Sequence, residues 1–456
     1  MLHVLITLAL LVVLILAIVK KYNVSAVMIF MSIAVLVVYS WVTGTSMLGE
    51  ESTGSLFLDV YESFKAVMVS QMGGSILTML SILGYISYMN YLKATEAFAF
   101  VVSGPMRKLN KPYLLGALAI LVGIILKLAL TSPSGLIALF IATLYPILRA
   151  CKLPKAAIAT AFVLAISPIF AMGDVNLVMG LSFAGIENPD MVNVFTHYGV
   201  PAVLFSLVGV IPVYLITAKY FDKKANIAHT DEEITVSSFK ELGVPLVYAV
   251  LPALPLVIAL LFSSLFESLP TISYVAAIWL SLTISMIVRM LHIKSFRKGL
   301  DEIMEFYKGS GKYLAAGAWI VVGASMISEV LTALGGMGTL VNAIMGVIGD
   351  NYIVISLVIA AFMFFLCVTT GPTAAAAALC PLIGTYCATT GHDVTGMVQM
   401  AMMCAGWGFS CYPISIGIVL LSDHADTPIP TLLRRNVFPA AAGALFCAIG
   451  SMIFFG

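Results

Sequence analysis

Two short polar segments interrupt otherwise apolar stretches of the sequence, and each contains a proline beside hydroxyl-bearing residues. Residues 131–135 are Thr-Ser-Pro-Ser-Gly, residues 369–373 are Thr-Thr-Gly-Pro-Thr, and Pro133 and Pro372 lie 239 positions apart. A break of this kind in an apolar environment exposes helix ends, whose free N–H groups attract anions and whose free carbonyl groups attract cations. The hydroxyl groups can donate to a carboxylate, offer lone pairs to an ion, or cap their own helix. We therefore predict that the two segments form one binding site.

Two ionisable residues lie in apolar surroundings close to these segments, where a charge is costly and indicates a function. Lys127 lies four residues before Thr131, on the same helix face. Its ammonium group can offset a substrate carboxylate, take the place of a bound cation, or extend to an aqueous vestibule. Asp174 can ligate a cation, carry a proton, or cap the helix that follows it. We predict that Asp174 and Ser167 serve coupling to Na+ or H+.

Residues of two further interrupted segments are expected to complete the walls of the site. The predicted substrate ligands are Thr131, Ser132, Pro133, Ser134, Gly135, Thr369, Thr370, Gly371, Pro372, Thr373, Asn176, Ser410, Tyr412 and Lys127. The seven cysteines include no CxxC pair. They are therefore expected to be small buried side chains, and we predict neither a metal site nor a cofactor.

The composition predicts a protein embedded in a lipid bilayer. Of 456 residues, 61% are hydrophobic and 10% are charged, whereas soluble domains carry about 25% charged residues. Several apolar runs approach the roughly 20 residues that a membrane helix needs; they are residues 2–19, 24–42, 198–218, 244–262 and 437–455. The net charge of +1, without a basic stripe, argues against a nucleic-acid partner. Nucleotide-binding and enzyme signatures such as GxxxxGK[ST], HExxH and GxSxG are absent from the sequence, so we predict neither ATP-driven transport nor an enzyme.

The two polar segments are predicted to be the tips of re-entrant hairpins. Basic residues collect on the cytoplasmic side of a membrane, and this rule places both chain termini on the external side. Residues 112–150 then enter and leave on the cytoplasmic side, whereas residues 352–390 open outward. Irregular backbone at membrane depth is tolerated only where it lines a cavity within the protein. Hairpins that open in opposite directions predict an inverted repeat.

The repeat organises the whole chain. The first repeat is 1–222, with an amphipathic arm (58–69), the hairpin 112–150, a broken helix 156–181 and a helix 198–218. A cytoplasmic linker, 223–240, joins it to the second repeat, 241–456, with an arm (295–307), the hairpin 352–390, a broken helix 395–422 and a helix 436–455. The breaks are expected at 167–176 and 406–413. The predicted fold is an all-α polytopic membrane protein of about ten transmembrane helices plus two re-entrant hairpins, and paired interruptions in inverted halves indicate a transporter site.

Several motifs resemble the DcuC-like anaerobic C4-dicarboxylate carriers of the ion transporter superfamily. The motifs are Pro112-Tyr113-Leu114-Leu115, the segment 131–135, Ala142-Thr143-Leu144-Tyr145-Pro146, Gly173-Asp174-Val175, Tyr220-Phe221-Asp222-Lys223-Lys224 and Val368-Thr369-Thr370-Gly371. The resemblance implies substrates of the succinate and fumarate type, a bacterial inner membrane, a homodimer and an elevator motion of hairpins and broken helices. Lys127 departs from the family pattern, and a lysine of fixed charge can replace a coupling sodium ion.

These observations favour a secondary active transporter of a small organic anion, with a dicarboxylate as the leading candidate. Two alternatives stay open. An amino-acid or aminoacyl-type carrier would pair Asp174 with the substrate's ammonium group. A sodium/proton exchanger without an organic substrate would use Asp174 as its titrating carboxylate.

Overall fold

The computed structural model describes residues 22–46, 48–102, 111–129, 133–224, 243–262, 269–333, 351–413 and 415–455, and these ranges contain helices but no strand. The main helices of the first half are α1 (Val24–Thr43), α2 (Leu56–Gln71), α3 (Leu77–Tyr91), α4 (Ala94–Val102), α5 (Pro112–Ala129), α6 (Pro133–Ala150), α7 (Lys155–Ile166), α8 (Val175–Phe183) and α9 (Val200–Lys224). Two short helical segments, Met191–Asn193 and Val194–Gly199, lead directly into α9. The predicted first membrane helix, residues 2–19, lies outside the described residues.

The described ranges of the second half are mostly helical as well. It contains α10 (Leu254–Leu261), α11 (Tyr274–Ile293), α12 (Phe296–Asp301), α13 (Met304–Ala333), α14 (Tyr352–Thr370), α15 (Pro372–Thr390), α16 (Val394–Phe409), α17 (Ile416–His424) and α18 (Ile429–Phe455). A 3-10 helix, Leu246–Ala253, leads into α10.

Six helices in the described part are long and apolar enough to cross a membrane: Ser25–Thr43, Met191–Lys224, Tyr274–Ile293, Tyr352–Thr370, Pro372–Thr390 and Ile429–Phe454. A bent pair, Leu56–Gly74 with Leu77–Tyr91, adds a seventh if it is one span. The prediction of an all-α polytopic membrane protein is confirmed at this level. The number of about ten spans stays a prediction.

Apolar side chains cover the outer face of α1. Phe30, Val38 and Trp41 are 70%, 57% and 82% exposed, and their spacing places them on one face of the helix. An apolar face of this kind is expensive in water but matches the hydrocarbon of a bilayer. This exposed apolar face therefore agrees with the membrane location that the composition predicts.

Prolines begin the outgoing helix at each predicted tip. Pro133 is the first residue of α6 and Pro372 the first residue of α15. Proline suits this position because the N–H group that it lacks would have no partner within the helix. The chain between α5 and α6, residues 130–132, lies outside the described residues, whereas Gly371 alone joins α14 to α15.

The break in the second half is later and shorter than we predicted. Helix α16 continues through Gly406 and Gly408 to Phe409, and the irregular chain begins at Ser410. A Cβ atom on Gly406 would collide with the carbonyl oxygen of Ser167, and one on Gly408 with that of Phe364. These glycines therefore permit close packing within a continuous helix rather than interrupting it.

Two other boundaries differ from expectation. Helix α9 continues through Lys224, so the first two residues of the predicted linker are helical, and residues 225–240 lie outside the described part. The predicted second arm, 295–307, is divided between α12 and the beginning of α13. The first break agrees more closely with the sequence, because α7 ends at Ile166, just before Ser167 and Pro168, and α8 begins at Val175.

Candidate functional site

The outgoing arm of the second hairpin runs beside the second part of the first broken helix. Near their N-termini, Thr373 Oγ1 of α15 donates a hydrogen bond to Asn176 Oδ1 of α8 at 3.0 Å. Farther along both helices, Gly384 lies against the carbonyl group of Ala184, just after α8. The two N-terminal ends are thus in contact with each other, and so are the two segments farther toward the C-terminus. Helices α8 and α15 are therefore parallel. Their N-termini, which are the positive ends of their dipoles, therefore meet at one place.

The outgoing arm of the first hairpin has the reciprocal arrangement with the second broken helix. Gly417, at the beginning of α17, lies against the side chains of Ile137 and Ile166. At the other end, the rings of Tyr145 and His424 meet edge to face, with centroids 4.5 Å apart. Helices α6 and α17 are therefore parallel as well. The contact of Gly417 with Ile166 also brings the second break against the end of α7.

The ammonium group of Lys127 lies inside the first break. Its Nζ atom donates to the carbonyl oxygen of Ile166 at 2.9 Å and to that of Pro168, and it lies 3.2 Å from Asp174 Oδ2. The Lys127 and Asp174 side chains are 5% and 4% exposed. Lys127 therefore does not extend to an aqueous vestibule, and its charge is compensated within the break.

Asp174 has two contacts at once. Its Oδ1 atom accepts a hydrogen bond from the backbone N–H group of Asn176 at 3.2 Å and so caps α8. Its Oδ2 atom faces Lys127. Ser167 is buried just after the end of α7, and its hydroxyl group donates to the carbonyl oxygen of Val163 in that helix at 2.6 Å. Of the two predicted coupling residues, Asp174 thus contacts Lys127 and the start of α8, whereas the Ser167 hydroxyl group is bonded to α7.

At the second tip, two of the predicted hydroxyl ligands cap their own helix. Thr369 and Thr370 each donate to the carbonyl oxygen of Leu366 at 2.8 Å. Gly371 has φ +84° and ψ 167°, a region open almost only to glycine, and its Cα faces the ring of Tyr412. The second tip therefore meets the second break at Tyr412 and the first break at Asn176.

A side chain of α18 donates a hydrogen bond to the second break. Ser410 is buried, and its hydroxyl group donates to the carbonyl oxygen of Trp407 at 2.6 Å. The amide group of Asn436 in turn donates to the carbonyl oxygen of Ser410 at 2.9 Å. Tyr412 is half-buried beside the second tip.

The first tip is described only from Pro133 onward, and Pro133 is half-buried. Thr131 and Ser132 lie outside the described residues. Ser134 and Gly135 belong to α6.

A family model described as "DcuC: C4-dicarboxylate anaerobic carrier" matches residues 2–455. The chain belongs to the DcuC family. The anaerobic C4-dicarboxylate transporter DcuC of Escherichia coli strain K12 is 23% identical to it over 437 residues, covering 95% of this chain and 93% of that one. The probable anaerobic C4-dicarboxylate transporter DcuC of Vibrio cholerae is 25% identical over 457 residues, covering 96% and 94%. The predicted family is confirmed.

Two solved structures share the fold of this DcuC-family chain. The YdaH transporter of Alcanivorax borkumensis superposes with a TM-score of 0.64 at 13% identity, covering 95% of this chain and 98% of that one. MtrF of Neisseria gonorrhoeae, of a class of antimetabolite efflux pumps, has a TM-score of 0.59 at 12% identity, covering 93% and 94%. Family membership also confirms the prediction of a transporter rather than an enzyme.

Two residues that hold the breaks were missing from our sequence interpretation. Gln399 is fully buried in α16, and its amide group donates to the carbonyl oxygen of Ile169 in the first break at 2.9 Å. Asn436 has the same role at the second break. For Gln399, a single amide residue within an apolar helix is a usable signal, because an unpaired polar group is expensive there.

A cleft lies beside the first break of the DcuC-family chain. Leu128 and Gly173 line one side, and Tyr85, Pro255 and Tyr274 are among the residues on the other. Residues of α3, α4, α11 and the 3-10 helix form a small buried apolar cluster of their own, apart from a large cluster that includes the hairpins, the broken helices and several further helices. The cleft lies where the small cluster meets the end of α5.

Proposed function

We propose that the chain is a secondary active transporter of C4-dicarboxylates of the succinate and fumarate type. Its family is described as C4-dicarboxylate anaerobic carriers, and relatives that match almost its whole length carry that substrate class in their names. The structural observation that supports the proposal most directly is the meeting of the α8 and α15 N-termini at Asn176 and Thr373.

Two converging helix N-termini suit a carboxylate for a simple electrostatic reason. The first N–H groups of a helix have no acceptor within it, and each positive end contributes about 0.3–2 kcal/mol to binding an anion. Thr373 uses its hydroxyl hydrogen to orient Asn176, so Nδ2 of Asn176 would donate to the substrate. The other substrate carboxylate would face the beginning of α6 and α17. Thr131 and Ser132 stay predicted ligands on that side.

The position of Asp174 makes both alternatives weaker. An amino-acid carrier would need this carboxylate for the substrate's ammonium group, but Asp174 caps α8 and faces Lys127. A sodium/proton exchanger would need the Asp174 carboxylate free for the transported ion, but both of its oxygen atoms already have contacts within the break. A dicarboxylate bound by neutral donors and helix ends does not require Asp174 to leave either of its contacts.

We extend the proposal to the architecture that the resemblance implies. The two repeats, 1–222 and 241–456, would be inverted, with both termini external and the linker 223–240 in the cytoplasm of a bacterium. The parallel pairs α8 with α15 and α17 with α6 support this, because each joins one hairpin to the other half's broken helix. Hairpins and broken helices would move as an elevator against the scaffold helices. The scaffold helices would form the homodimer.

Counterflow in proteoliposomes tests the function. Vesicles loaded with unlabelled succinate should accumulate labelled succinate, and fumarate should compete whereas amino acids should not. Asn176→Ala should lower the initial rate about 10- to 100-fold, since a hydrogen bond to a charged group contributes about 1.5–3 kcal/mol. Asn193→Ala, which truncates an exposed asparagine after the same broken helix, is the matched control. Equal rates in the two variants would remove Asn176 from the site, and competition by amino acids alone would refute the substrate class.

A further inference from the structure

The oxygen atoms around Lys127 have the composition of a cation site. Ile166 is the last residue of α7 and Pro168 lies just beyond it, so both carbonyl groups belong to the negative end of a half-helix. Asp174 supplies a carboxylate oxygen to the same place. Unwound carbonyl groups and half-helix C-termini of this kind coordinate Na+ in transporters with interrupted helices. In this chain an ammonium group contacts all three oxygen atoms.

We propose that Lys127 is a resident cation of the first break, so that dicarboxylate binding there requires no sodium ion. A lysine ammonium group is a compact point charge with three N–H donors, which matches the three oxygen atoms that surround it. Its stem anchors the charge to α5 of the first hairpin, so the charge moves with the site. The inference rests on the proposed transport function and specifies how that site is coupled.

Side chains of neighbouring helices also donate hydrogen bonds to other carbonyl groups of the breaks. The carbonyl group of Ile169, next in the chain after Pro168, accepts a hydrogen bond from Gln399. In the second break, the carbonyl group of Ser410 accepts one from Asn436. Nitrogen donors from neighbouring helices thus occupy carbonyl groups that the interruptions leave outside the helical pattern.

The two halves differ at this position. The residue 239 positions after Lys127 is Leu366, which lies four residues before Thr370 as Lys127 lies four before Thr131. The resident charge is therefore specific to the first hairpin. Leu366 offers a matched control, since its truncation removes a side chain at the equivalent distance from a tip without removing a charge.

The experiment measures the thermal midpoint of purified, substrate-free protein at constant ionic strength in choline, sodium or n-propylammonium chloride. Lys127→Ala opens a space among three oxygen atoms, and sodium or propylammonium should raise its midpoint saturably by about 3–5 °C over choline. Lys127→Gln keeps most of the side-chain volume, removes the charge and should show the sodium response if the alanine variant does not fold. The wild type and Leu366→Ala should respond to neither cation beyond the choline baseline.

Two results would overturn the inference. One is a midpoint in both Lys127 variants that is the same in all three salts. The other is a wild type that gains as much from sodium as the variants do. Succinate binding to the wild type, measured separately by calorimetry, tests the proposed function: its failure would refute the transport proposal and leave the cation measurements interpretable, because those use no substrate.

Discussion

Replacing Gly371 with alanine tests whether succinate affinity depends on the conformation of the second tip rather than on the general stability of the protein. Gly371 has φ +84° and ψ 167°, and the nearest atoms to an added Cβ belong to the Tyr412 ring at 3.5 Å, an ordinary contact. The cost is therefore backbone strain rather than collision, about 1–3 kcal/mol for a residue held in this region. The chain can relieve that strain only by rotating the turn, which displaces Thr373 and the first N–H groups of α15.

We expect Gly371→Ala to bind succinate about tenfold more weakly. This loss corresponds to about 1.4 kcal/mol of binding free energy, which lies within the range of the strain. Gly391→Ala is the matched control. Gly391 ends the same helix with φ +81°, and an added Cβ there meets no atom within 4 Å. An alanine in this left-handed conformation costs about 1–2 kcal/mol of stability, at the end of α15 that is distant from the tip.

Isothermal calorimetry with succinate and a thermal unfolding scan of each variant complete the test. Both variants should unfold at a lower temperature than the wild type, but only Gly371→Ala should have a weaker affinity. If the two variants bind succinate equally well, or both lose affinity in proportion to stability, the assignment of the second tip to the site is wrong.

Two further substitutions give distinct outcomes. Thr373→Val keeps the shape of the side chain but removes the hydroxyl group that orients Asn176, so succinate affinity should fall about fivefold, the equivalent of about 1 kcal/mol. Thr385→Val removes a hydroxyl group from the same helix outside the site and should bind succinate normally. Equal affinities in the two variants would exclude the positioning role of Thr373. Asp222→Asn leaves the buried Arg435 without its ion-pair partner and should cost about 3–5 kcal/mol of stability, seen as a lower unfolding midpoint. Replacing both partners with leucine should cost less, and a double variant no more stable than the single one would contradict this account.

Features that depend on composition and local spacing were predictable from the sequence. The low charge content and long apolar runs predicted a helical membrane protein, and the family motifs predicted the carrier class. Pro168 and Asp174 mark the first break because proline cannot continue a helix and aspartate caps the next one. The same local rule misplaced the second break, since Gly406 and Gly408 serve close packing with segments that are distant in the sequence.

The type of protein and the approximate position of its interruptions follow from local patterns, because hydropathy, proline placement and capping act within a few residues. The groups that meet at the interruptions depend on packing between distant segments: Thr373 meets Asn176 across 197 positions, and Gln399 meets Ile169 across 230. A carbonyl group freed by a break needs a donor, and in a membrane that donor comes from whichever helix packs beside it. For this reason the sequence did not predict the partner of Lys127. In the structure, Lys127 is buried beside Asp174.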